Sequence, residues 1–214
     1  MSTNKIFITV ILCLLLTVGA SIIGYNVNKY YYNPNQNLFN ISPNKTEKLV
    51  KIIKTIQPKI DQGVCGLIAK SVIKYSSEYQ LPPELIICII KQESTFRLTL
   101  TSTPTPKSKA GCMGLMQINP LAHPEKLKKL KIQKFSELYH IDKNIHLGCM
   151  ILREYYDKSK DIQKALNRYV GGDQKYVNDI LSQFATIVIQ DKKEIEVKKE
   201  IKEETENRNP KEKE

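Results

Sequence analysis

Leu81-Pro82-Pro83-Glu84-Leu85-Ile86-Ile87-Cys88-Ile89-Ile90-Lys91-Gln92-Glu93-Ser94-Thr95-Phe96 is the stretch on which the fold turns. Proline in the first turn and an acid near the positive dipole end open a helix, predicted over residues 84–94. Ile90, Ile89 and Ile86 lie three, four and seven residues before Glu93 and share its face. A carboxylate on an apolar face is desolvated and its pKa rises. A general acid working near neutral pH needs that. Taken alone, such a glutamate reads first as a helix-end acid pointing to water, so its company decides.

Downstream stand Ser108-Lys109-Ala110-Gly111-Cys112-Met113-Gly114-Leu115-Met116-Gln117-Ile118-Asn119-Pro120, then Asn144-Ile145-His146-Leu147-Gly148, then Ala165-Leu166-Asn167-Arg168-Tyr169-Val170-Gly171-Gly172. With Glu93-Ser94-Thr95-Phe96 these make four blocks, and in this order the chain resembles the SLT-type lytic transglycosylases of the lysozyme-like superfamily. That family's pattern is Glu-Ser-x-Phe, Ser-x-x-Gly-x-x-Gly-Leu-Met-Gln, Asn-Ile-x-x-Gly and Ala-Leu-x-x-Tyr-Asn-Ala-Gly. The resemblance covers about residues 65–184. It implies a mostly α-helical, lysozyme-like domain with Glu93 as the single acid/base. It further implies that Ser94 supports the helix end, and that Ser108, Gln117 and the backbone at Gly114 line a glycan cleft. Tyr169 would reach over to hydrogen-bond the glutamate, and Asn119 counts among the substrate-binding positions.

The implied reaction cuts the β-1,4 bond between N-acetylmuramic acid and N-acetylglucosamine in peptidoglycan and closes a 1,6-anhydro ring. No cofactor is implied. Related goose-type lysozymes carry an Asp two residues past the Gln, where this chain has Asn119, which cannot be a base. Glu125, Glu137 and Asp142 lie outside the matching blocks. The rivals are a hydrolase of the same fold and a non-catalytic glycan-binding component of an envelope-spanning assembly. Two departures stand out: Val170 replaces the family's Asn, and the loop between Glu93 and Ser108 is long.

The flanks are of another kind. Residues 6–28 carry no charge, and 6–24 are almost wholly apolar, about the length a membrane span requires. Tyr25, Tyr30, Tyr31 and Tyr32 follow as an aromatic belt would. Val18-Gly19-Ala20 is an acceptable cleavage site, but the run continues through Ile22 and Ile23, which favours an anchor over a cleaved signal. The expectation is a single-pass anchor with an extracytoplasmic catalytic domain. Residues 29–60 read as linker and short helix (46–60), 61–190 as the catalytic domain, and 191–214, rich in Lys and Glu, as a frayed helix or disorder. Further helices are expected at 65–79, 124–130, 135–139, 142–158, 161–170 and 174–189, and Leu98-Thr99-Leu100-Thr101 could form a short β-hairpin arm.

The net charge of +11 favours anionic partners, yet no zinc-finger or RRM pattern points to nucleic acid. Lys126, Lys128, Lys129, Lys131 and Lys134 read as a solvated face, with contact to an anionic wall or membrane as the alternative. His123, His140 and His146 have no metal-ligand spacing. Cys65, Cys88, Cys112 and Cys149 read as small buried thiols; as an even number in an exported domain they also allow two disulfides. Tryptophan is absent, so sugar stacking falls to Tyr or Phe; Tyr139, Tyr155, Tyr156 and Tyr176 read as core or rim.

Overall fold

Six consecutive residues, Leu85 to Ile90, are 0% exposed. A helix apolar on every side must be surrounded, and the rest of the chain is arranged around this one. The computed structural model describes residues 43–99 and 111–208. In chain order its helices are α1 (Pro43–Ile56), α2 (Gln62–Glu78), α3 (Pro83–Ser94), α4 (Pro124–Lys129), α5 (Ile141–Ser159), α6 (Ile162–Tyr169) and α7 (Gln174–Arg208), with 3-10 turns at Pro120–Ala122 and Phe135–Tyr139. The protein is mostly α-helical. No strand occurs among the described residues; one isolated antiparallel bridge joins Met113 and Ile118.

Local chemistry sets the helix ends. The Asp61 carboxylate accepts from the Val64 N–H at 2.9 Å and starts α2. Asp161 does the same for α6, accepting from Gln163 and Lys164 at 2.8 and 3.1 Å. α3 packs against α7, α2 against α1, α3 and α5, and α5 against α6. The core they enclose includes Ile53, Ile68, Leu138, Leu147, Leu166, Ile180 and Phe184, each 0% exposed.

The elements differ from expectation in three places. α1 spans Pro43–Ile56, not 46–60, because proline at position 58 removes a backbone donor the helix would need. α7 does not stop near residue 189 but continues to Arg208. Lys and Glu are good helix formers, and ion pairs tie this segment to α1: Lys48 to Asp191 at 2.8 Å and Lys51 to Glu194 at 2.9 Å. Leu98 and Thr99 lie in a turn, and the remainder of the proposed hairpin arm lies outside the described residues. So does the apolar segment 6–24; among the described residues no helix is long and apolar enough to cross a membrane. Cys65, Cys88 and Cys149 are buried free thiols, and Cys112 is half-buried.

Candidate active site

Glu93 sits in the last turn of α3, where the chain must leave the core. Ser94, 1% exposed, turns its hydroxyl back to donate to the Ile90 carbonyl at 3.1 Å. The Arg97 N–H and side chain both donate to the Ser94 carbonyl, at 3.1 and 3.0 Å. The Arg97 bonds occupy a carbonyl that a helix end otherwise leaves unpaired. Thr95 and Phe96 then take left-handed φ angles of 51° and 62°, an uncommon conformation for bulky residues. The turn drives the Phe96 ring into the core, 5% exposed, and leaves Glu93 half-buried at its mouth.

Burial of Glu93 raises its carboxyl from the ordinary 4.5 to about 7, while a hydrogen bond from Tyr176 pulls the other way. Tyr176 stands in the first turn of α7, where its N–H donates to Asp173 at 3.1 Å. Its own phenol is pushed up, first by burial and then by the Glu93 charge. No second carboxylate acts on Glu93 among the described residues. Glu137 pairs with Lys143 and accepts from the N–H groups of Gln133 and Lys134, which hold it low, at about 2. Asp142 accepts from Tyr75 on α2 at 2.6 Å.

The second block forms a tight turn closed by paired bonds between Met113 and Ile118, 2.9 and 3.1 Å. Asn144 of α5, 1% exposed, clamps it. Its side-chain oxygen accepts from the Met116 N–H at 2.8 Å, and its amide donates to the carbonyls of Met113 and Leu138 at 2.9 and 2.7 Å. Gly114 lies against this clamp: a Cβ there would stand 2.3 Å from both the Asn144 nitrogen and the Leu138 oxygen, and its φ is +74°. Gly148, one turn along α5, leaves room for the Met116 thioether, which would be 2.3 Å from a Cβ. The Gly-Leu-Met-Gln and Asn-Ile-x-x-Gly blocks are therefore two halves of one joint. Gln117, at φ 45°, donates its amide to the Gly114 carbonyl at 2.8 Å.

Tyr169 lies elsewhere in the network than expected. Its hydroxyl donates to the Met116 carbonyl at 2.9 Å, so it braces the turn. The hydroxyl that favours the Glu93 anion is that of Tyr176. Tyr169 still lies close enough for the Glu93 charge, after burial, to push its phenol up. Asn119 accepts from the Leu121 N–H at 3.0 Å and caps the turn Pro120–Ala122. Ser108 lies outside the described residues. Sequence reasoning passed over Tyr176, which no block marks, and Asn144, whose place at the head of its block was the available signal.

Because Tyr176 stabilises the anion, Tyr176→Phe is expected to move Glu93 further up. The alkaline limb of the pH–rate profile, where the acid loses its proton, then shifts to higher pH. An unchanged limb in the folded variant would leave Tyr176 with a packing role only.

The family model described as Transglycosylase SLT domain matches residues 70–187. A protein named "Transglycosylase" from Enterobacteria phage PRD1 is 33% identical over 97 residues, which are 45% of this chain. The match covers 32% of that protein, so the chain spans about a third of the relative's length.

Proposed function

The chain belongs to the transglycosylase SLT domain family, and on that premise we propose that it is a peptidoglycan lytic transglycosylase whose single acid/base is Glu93. The observation that carries this reading is one half-buried carboxyl, lifted by burial to about 7, on which no second carboxylate acts among the described residues. Held there, Glu93 is partly protonated at neutral pH and donates its proton to the departing glycosidic oxygen. The resulting anion, steadied by the Tyr176 hydroxyl, takes the proton of the muramoyl C6 hydroxyl. The C6 oxygen then attacks the anomeric carbon and closes the 1,6-anhydro ring, returning Glu93 to its acid form. Hydrolysis with a second carboxylate would require one roughly 5–10 Å away to act as nucleophile or to activate water. The C6 hydroxyl needs no such partner, because the bound sugar already holds it in place. The Gly114–Gln117 turn, braced by Asn144 and Tyr169, would form the cleft wall, with Ser108 and Asn119 as further sugar contacts.

The apolar run at residues 6–24 supports a membrane tether that holds the domain on the extracytoplasmic side, in reach of the glycan. The reading is tested by mass spectrometry of peptidoglycan digested with the full chain. The expected muropeptides carry 1,6-anhydromuramic acid and are lighter by one water than the hydrolytic products. Reducing-end products would instead make the protein a lysozyme-type hydrolase, and no products at all would leave it a glycan-binding component.

A further inference from the structure

Residues 120–136 leave the cleft wall directly after Asn119 and return to the body before α5. They hold five lysines and one acid, Glu125, a large share of the +11 net charge in 17 residues. Leu127 and Ile132 are 7% and 8% exposed and pin the excursion to the core. Lys131 sits at φ 53° and turns the chain between them. Lys126 is neutralised by an ion pair with Glu154. Lys128, Lys129, Lys131 and Lys134 are all exposed, and none takes part in an ion pair among the described residues. Elsewhere some surface lysines are paired, as Lys48, Lys51, Lys143, Lys158 and Lys160 are, and others, such as Lys59, Lys70, Lys164 and Lys175, are not; what sets the excursion apart is the closeness of its four, at positions 128, 129, 131 and 134. Two of the few large apolar side chains left in water bracket the same excursion: Leu121, 47% exposed, and Phe135, 42% exposed.

We propose that this excursion is a membrane-contact surface that docks the domain on anionic phospholipid, with Phe135 and Leu121 entering the interface and the four unpaired lysines facing the headgroups. A soluble polyanion would neutralise the ammoniums but leave both apolar side chains in water. A lipid interface accommodates both kinds of group, because it offers negative potential within a Debye length and an acyl boundary just beneath. The surface is preorganised by Leu127 and Ile132, so docking orders little further chain. It is also distinct from the apolar segment at residues 6–24, and it would fix which face of the domain meets the bilayer.

The absence of tryptophan from the chain supplies a direct probe. Phe135→Trp in the full chain places one indole at the proposed interface, and Leu67→Trp places one on α2, at a residue 56% exposed. With mixed phosphatidylglycerol–phosphatidylcholine vesicles, Phe135→Trp is expected to shift its emission to the blue. That shift should be absent with phosphatidylcholine alone and should reverse near 1 M salt, where screening falls to about 3 Å. Leu67→Trp is expected to stay unshifted. Replacing Lys128, Lys129, Lys131 and Lys134 by Gln in the Phe135→Trp background should weaken the vesicle response at least tenfold while cleavage of soluble glycan fragments continues. Four results overturn the proposal: no blue shift at position 135 with anionic vesicles, an equal shift with neutral ones, an equal shift from Leu67→Trp, or a shift with soluble polyglutamate that matches the vesicles.

Discussion

Glu93→Gln is expected to abolish glycan cleavage in a protein that folds and, above neutral pH, is more stable than the parent. The amide fills the same space but can neither give nor recover a proton, so the loss should reach at least the ~10²–10⁴-fold typical of general acid–base catalysis. The stability arm follows from the raised pKa. Burial lifts the carboxyl from 4.5 to about 7. Below the lower value both folded and unfolded chains hold the proton, and the parent keeps its full stability. Between the two values the folded chain retains a proton the unfolded chain has released, so stability falls as pH rises and levels off above the folded value. Glutamine has no such slope. Thermal melts at pH 4 and pH 8 should therefore show the variant gaining stability relative to the parent as pH rises. Turnover like that of the parent in folded Glu93→Gln would remove Glu93 from the mechanism.

That a desolvated carboxyl could be expected from sequence at all is a matter of spacing. Ile86, Ile89 and Ile90 recur at helical intervals before Glu93, and each is 0% exposed, so the periodicity that builds the core also desolvates the carboxyl. Two helix starts were legible for the same local reason, since Pro83 and Asp161 act within one turn of themselves; Asp61 starts α2 three residues before the expected position 65. The partners of Glu93 were not legible in this way. Tyr169 and Tyr176 lie seven residues apart, at either side of the link between α6 and α7. Which hydroxyl reaches the acid depends on how α7 leaves that link and crosses α3. The block pattern pointed to Tyr169, whose hydroxyl instead serves the Met116 carbonyl. The extension of α7 was hidden for a different reason. Its Lys and Glu content is compatible with helix or with disorder, and what favours helix is contact with Lys48 and Lys51, more than a hundred residues earlier. Ser108 and the apolar segment lie outside the described residues, so their expected roles rest on sequence.

The largest structural effect is expected at Asn144, a residue that touches no catalytic group. Asn144→Ala removes three hydrogen bonds at once and strands the Met116 N–H and the Leu138 carbonyl, while the Met113 carbonyl keeps its bond from the Ile118 N–H at 3.1 Å. Orphaned buried groups cost about 1–3 kcal/mol each. For two such groups, with some relief from entering water, the total should be about 2–4 kcal/mol, a large part of the ~5–15 kcal/mol that keeps a domain folded. Gly114→Ala attacks the same joint from the other side, because its Cβ would meet both the Asn144 amide and the Leu138 carbonyl at 2.3 Å. Removing the Asn144 side chain clears the first clash and leaves the second, which is with backbone. The two changes share one site, so the double variant should lose less than the sum of the singles. Denaturant unfolding of both singles and the double measures this. A cost below about 1 kcal/mol for Asn144→Ala, or strict additivity with Gly114→Ala, would mean that the turn carrying Met116 and Gln117 holds its shape without the α5 clamp, and the positioning of the cleft wall would have to come from Tyr169 alone.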